Sequence, residues 1–128
     1  MLSEILADKK NSQVARMAAA LQLKNHLVCK ESSRKVEFRQ KWLQFQESIR
    51  HPIKKNVLLA LGTEPAAAQC VAYIASAELP VNQWPELIPL FITKASNNSI
   101  DSKEREAIME SIGFICQEIV SVIIHLLT

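Results

Sequence analysis

Three histidines, His26, His51 and His125, and three cysteines, Cys29, Cys70 and Cys116, are the side chains best suited to metal binding or nucleophilic chemistry. Their spacing supports neither. No Cys-x-x-Cys or His-Glu-x-x-His string occurs, and the histidines do not stand at ligand spacing from the cysteines. There is no Gly-x-Ser-x-Gly nucleophile elbow and no glycine-rich phosphate loop. Cys70 and Cys116 fall on apolar helix faces and are expected to be small core residues. Glu104, Glu106 and Glu110 read as one solvated helix face. We expect no catalytic residue, no metal and no cofactor.

Charge offers a different kind of chemistry. Residues 24 to 55 hold nine Lys or Arg against three Glu, whereas residues 56 to 128 hold three against eight Asp or Glu. A basic segment beside an acidic one can steer a charged partner. Nucleic acid is the tempting partner. Against it, the basic residues are interleaved with Glu31, Glu37 and Glu47, no aromatic stacking array accompanies them, and the net charge is only +2. Trp42 and Trp84 sit within apolar stripes and are expected in the core rather than at a binding surface.

The elements that carry these residues are read from periodicity. The chain has 128 residues, 48 % apolar and 22 % charged, enough for one helical domain and too apolar for disorder. Apolar positions recur at Val14, Met17, Ala18, Leu21 and Val28, with Ala20, Leu23 and Leu27 beside them, which predicts a helix from Ser12 to Cys29 capped by Asn11 or Ser12. Phe38, Trp42, Phe45, Ile49 and Ile53 continue at helical steps, but Pro52 would clash with the Ser48 carbonyl in one unbroken helix. The stretch therefore divides into a helix over 34–47 and another over 50–61, with Pro52 in its first turn and Gly62 as its stop. Pro65 opens a helix to Glu78, and Pro85 opens one to Ala95 in which Pro89 kinks or tightens the first turn. Asp101 with Glu104 resembles a capping box ahead of the last helix. A short helix over Leu2–Lys9 precedes them all.

Three of these helices align. Val14, Met17, Ala18 and Leu21 match Ala67, Cys70, Val71 and Ile74, which match Arg105, Ile108, Met109 and Ile112, at offsets of 53 and 38 residues. Helix pairs recurring every ~40–47 residues have the spacing of HEAT or armadillo repeats. A compact bundle would give a similar pattern. The most apolar stretch, IVSVIIHLLT (residues 119–128), which carries Val122, Ile123, Ile124, Leu126 and Leu127, is about half the ~20 residues of a membrane helix. It reads as a face awaiting a following repeat. No signal peptide is visible at the N-terminus, and the odd cysteine count makes a poor disulfide framework. The reading is a reduced, intracellular chain, in which the Asn97-Asn98-Ser99 sequon carries no meaning.

Longer strings carry a resemblance. PVNQWPELIP (residues 80–89) and NSQVARMAAALQLKN (residues 11–25) are similar to the amino-terminal repeats of the importin-β (karyopherin-β) family of nuclear transport receptors. KWL, KKNVLLALGTE, QCVAYIASAE and EAIMESIGFICQEI follow in the family's order. The family's first helix pair is mostly missing, the loop from Thr63 to Ala68 is shorter, and VSVIIHLLT departs from the pattern. The resemblance implies an all-α, right-handed solenoid of HEAT-type helix pairs, here a partial array. Residues 1–9 would be the remnant of a first repeat, 11–62 a second, 63–96 a third and 101–128 an incomplete fourth.

It also implies a function: a short form or fragment of a nuclear import receptor, in the cytoplasm and nucleus. In the family, first helices line the convex face and second helices the concave face. The amino-terminal repeats hold the GTP form of the Ran GTPase on the concave side, whereas the importin-α adaptor, cargo and nucleoporins engage later repeats. By that carry-over, Lys54, Lys55 and Leu58 on the 50–61 helix face the GTPase, with Glu86 and Leu87 as counterparts on the next inner helix. The alternatives are a helical interaction module without transport activity and, behind it, a basic nucleic-acid binder.

Overall fold

A computed structural model describes residues 2–27 and 32–127. Among these residues there is no strand. The helices are α1 (Leu2–Ala7), α2 (Gln13–Leu27), α3 (Ser32–Gln44), α4 (Glu47–Leu59), α5 (Ala66–Glu78), α6 (Leu87–Ser96) and α7 (Ser102–Leu127). A single 3-10 turn, Leu79–Val81, follows α5. Cys29 and Val28 lie outside the described residues.

The helix boundaries follow from local chemistry. Ser12 Oγ accepts from Ala15 N at 3.1 Å and caps α2 as expected. Asp101 Oδ1 accepts from Lys103 N at 3.1 Å at the head of α7, whereas Glu104 turns to Lys94 instead of closing a reciprocal box. Gly62, at φ +87°, turns the chain after α4 in the left-handed region that favours glycine. Pro89 falls in the first turn of α6, where its missing N–H costs little.

The start of α4 differs from expectation. α4 starts at Glu47, because the Gln46 carbonyl accepts from both Ile49 N and Arg50 N. Pro52 is therefore inside the helix rather than in its first turn, and cannot donate to the Ser48 carbonyl. α7 runs towards the C-terminus as expected, to Leu127, with no proline to interrupt it.

α2, α5 and α7 pack side by side in one layer, and α1, α4 and α6 lie against them in a second. α3 packs on α5. Arg16 Nη2 donates to Thr63 Oγ1 at 2.7 Å, tying the first turn of α2 to the loop before α5. That loop also meets α7: a Cβ on Gly62 would lie 2.8 Å from Glu104 Cα. The three helices of the layer thus begin at the same end and run parallel. α5 is central, with Ala67, Cys70, Val71, Ala72, Ile74 and Ala75 all buried.

The stripe expected to bury α2 does not. Val14 is 77 % exposed, and Met17, Ala18 and Leu21 also face solvent, while Ala19, Ala20 and Leu23 make the buried side. The reason is position: α2 is an edge of the layer, and among the described residues its main packing is against α1 and α5. Cys116, expected in the core, is exposed on the opposite edge, while Cys70 is buried as expected. Trp42 and Trp84 are both buried. Ile123, Ile124 and Leu127 are exposed; the side chains of Val122 and Leu126 lie outside the described residues.

Candidate binding face

The second layer carries the candidate residues, and α4 is its centre. Helical rotation sets successive residues about 100° apart, so neighbours in sequence meet different surroundings. Arg50, Lys54, Val57 and Leu61 recur at steps of three and four and turn inward. Val57 and Leu61 join the core. Arg50 and Lys54 meet Glu78, the last residue of α5, which is fully buried.

The result is a buried ionic cluster. Lys54 Nζ donates to Glu78 Oε1 at 3.1 Å and to Glu47 Oε1 at 3.0 Å. It also stands 5.3 Å from the Trp84 ring centroid, within cation–π range. Arg50 donates to Glu78 Oε1 through Nη1, pairs with Glu47 Oε2 at 3.1 Å and donates from Nε to the Phe45 carbonyl at 3.0 Å. Burial pushes the Glu78 carboxyl above its ordinary range, even with Lys54 and Arg50 against it. Burial also acts on Glu47, but there the Lys54 hydrogen bond and the charges of Lys54, Arg50 and His51 prevail, so its pKa is lowered.

A second link ties the helices of the other side. Arg39 on α3 donates from Nε to Ser76 Oγ at 3.2 Å and pairs through Nη2 with Glu118 Oε2 at 3.1 Å. Arg39, Arg50 and Lys54 all belong to the basic segment, and Glu78 and Glu118 to the acidic one. Part of the charge asymmetry is thus consumed inside the fold, which weakens the case for a nucleic-acid surface.

These contacts sort the five candidates. Lys54, at 3 % exposure, is committed to Glu78, Glu47 and Trp84 and does not present its ammonium to a partner. Leu87 is fully buried in the core and likewise presents no surface. Both expectations are corrected: a carboxylate on α5 draws Lys54 inward, and Leu87 packs as the first residue of α6. Lys55 and Glu86 are exposed, and Leu58 is half-buried.

His51 and Leu59 are also exposed and stand four residues either side of Lys55, forming one ridge along α4. The i, i+4 spacing from Lys55 was the sequence signal for them. At the ridge's C-terminal end, Leu58 and Leu59 line a groove of about 260 Å³ with Lys9, Lys94, Asp101 and Glu104. Lys94 and Glu104 are paired across it at 3.2 Å. The face therefore offers apolar contact flanked by both signs of charge. Among the described residues no group of three or more His, Cys, Asp or Glu is placed to hold a metal. No helix among them is long and apolar enough to cross a membrane.

Helix pairs stacked in two layers, with an ionic cluster between successive pairs, define an α-solenoid of HEAT-type repeats. Residues 1–63 match the family described as the importin-beta N-terminal domain. Importin subunit beta-1 of Saccharomyces cerevisiae is 36 % identical over 121 residues, a match that covers 90 % of this chain and 14 % of that protein. A solved structure of Kap95p, whose binding induces the switch loops of RanGDP to adopt the GTP-bound conformation, superposes with a TM-score of 0.81. It is 34 % identical and covers 95 % of this chain and 15 % of the other. A Kap95:Nup1 complex has the same TM-score at 33 % identity, covering 91 % of this chain and 14 % of the other. The chain belongs to the importin-β family, in its amino-terminal HEAT-repeat region. It spans about one-seventh of the length of these relatives.

Proposed function

We infer that this chain supplies part of the Ran-binding surface of a nuclear import receptor, with the exposed ridge of α4 as the contact. In this reading residues 11–62 and 63–96 act as two successive repeats. α4 presents Lys55 and Leu58, and Glu86 stands just ahead of α6, facing the GTPase. The carrying observation is that ridge: Lys55 stands exposed beside a Lys54 held inward, in the layer that the family assigns to the concave face. His51 and Leu59 extend it.

The reading draws support from Kap95p, a relative of the same fold that acts on the switch loops of RanGDP. A partner that recognises the GTP-type switch conformation binds the GTP form more tightly. The GDP form must first be converted, and that conversion subtracts from its affinity. The receptor role places the chain in both cytoplasm and nucleus. The nucleoporin contact belongs to Kap95 in its complex with Nup1; here it is proposed for later repeats of the family, as is the importin-α adaptor.

Titration of labelled Ran in both nucleotide states with the purified chain tests this. Weak binding that favours the GTP form, and that falls on Lys55→Glu, is expected. Equal affinity for the two states would remove the assignment of this face.

A further inference from the structure

A cavity of about 380 Å³ opens in the seam between α2, the α4–α5 loop and the first turns of α7. Its walls carry Glu64, Glu106 and Glu110 against a single cation, Lys103. The chain as a whole has a net charge of +2, so the pocket runs against the charge of the molecule. Lys103, Glu106 and Glu110 share one exposed side of α7 at helical spacing. Glu64 is different. It is 5 % exposed, and among the described residues no hydrogen bond or ion pair reaches its carboxylate. Nor does it cap α5, whose start has no side-chain cap hydrogen bond. Its oxygens are not among the side-chain atoms sealed from solvent, so the carboxylate opens into the cavity that it lines.

We propose that this cavity binds a primary alkylammonium group, the head of a free polyamine or of a lysine side chain from a partner. A carboxylate withdrawn from water without a partner is costly, and a cation entering the cavity removes that cost. Three carboxylates against one ammonium select a cation over an anion. The carboxylates are not placed to converge on a metal ion. They line instead a space within the size range of small-ligand sites, roughly 300–1,000 Å³. An ammonium group suits that spread, because it donates three hydrogen bonds in different directions, whereas a guanidinium demands a carboxylate in the plane of its fork. Pro65 and the half-buried Ala107 offer apolar contact to the alkyl stem. Gln13, the first residue of α2, adds an amide acceptor. This inference does not depend on binding to a GTPase.

NMR titration of the isotope-labelled chain tests this with two probes, spermidine and a blocked tripeptide carrying one lysine. Saturable shifts at Gly62, Thr63 and Ala107 are expected with at least one of them. The probe that saturates at the lower concentration separates a polyamine from a protein side chain. Glu64→Gln keeps the shape and removes the charge, and is expected to weaken binding by roughly tenfold or more. Should that buried variant lose helical content by circular dichroism, Glu106→Gln with Glu110→Gln, both at exposed positions, carries the same expectation. Lys103→Gln is expected to tighten binding, which a purely structural role for the pocket would not produce. The same peptide with its lysine Nε-acetylated is expected to shift nothing. The absence of a saturable shift with either probe overturns the proposal. Undiminished affinity in a folded Glu64→Gln chain or in the double variant overturns it too, as does equal binding of the acetylated peptide.

Discussion

Lys54 Nζ lies 3.1 Å from Glu78 Oε1, and this contact joins the middle of α4 to the last residue of α5 across the two layers. Removing one partner of a buried ion pair leaves the other charge uncompensated, at a cost of about 3–5 kcal/mol. Lys54→Ala leaves Arg50 against Glu78, so the expected loss is smaller, about 1.5–3 kcal/mol for a hydrogen bond to a charged group. Lys55→Ala, one residue further round the helix, is expected to change stability by less than about 0.5 kcal/mol. Urea unfolding of the two variants makes the comparison. Similar midpoints would mean that Lys54 is not held as described.

The two carboxyls of the cluster give opposite pH dependences. Glu47 has a lowered pKa in the folded chain, so its stabilisation is present above the ordinary glutamate pKa and is lost as pH falls through the lowered value. Glu78 has a raised pKa, so its contribution is present at low pH and is lost as pH rises through the raised value. Unfolding free energies measured across acid pH should converge for wild type and Glu47→Gln on acidification. For Glu78→Gln, the wild-type advantage should shrink as pH rises.

Gly62 and Gly113 are expected to respond to alanine with opposite signs. At Gly62 a Cβ would meet the Glu104 backbone at 2.8 and 2.9 Å, and φ is +87°. Left-handed strain and overpacking together cost roughly 2–4 kcal/mol. At Gly113, inside α7, a Cβ meets nothing within 4 Å. Alanine there removes the glycine penalty and is expected to stabilise by about 0.8–1 kcal/mol. Thermal unfolding monitored at 222 nm resolves both, since a change of about 1 kcal/mol moves the midpoint by several degrees in a domain of this size.

Much of this arrangement was legible in the sequence. Trp84, Cys70 and Ile108 sit on stripes of 3.6-residue period, and all three are buried. Ser12 and Gly62 announced the helix ends they make. Periodicity identifies residues that share a face, however, not whether a neighbour covers that face. Val14, Met17 and Leu21 form as regular a stripe as Ala67, Cys70 and Ile74, but α5 lies between α2 and α7. Lys54 and Lys55 are identical in type and adjacent in sequence. Their different fates are decided by Glu78, which lies 24 residues away on another helix. Cys116 was misplaced for the same reason as Val14.

The cysteines give a chemical check of that burial. Burial pushes the Cys70 thiol up to about 12, so it holds almost no thiolate under ordinary alkylating conditions. Iodoacetamide at about pH 8 is expected to modify exposed Cys116 and to spare Cys70 until the chain is unfolded. Peptide mapping by mass spectrometry reads both sites. Equal labelling of Cys70 in the folded chain would contradict the packing of α5.

We propose that a Ran-type GTPase binds the exposed ridge of α4, with Glu86 ahead of α6. NMR mapping of the isotope-labelled chain against unlabelled, GTP-loaded Ran tests it most directly. Shift changes are expected to centre on Lys55, Leu58, Leu59 and Glu86, to be smaller with GDP-loaded Ran, and to be absent at Val14, Met17 and Leu21. Perturbations confined to the α2 and α7 edges, or no perturbation with Ran in excess, would contradict it.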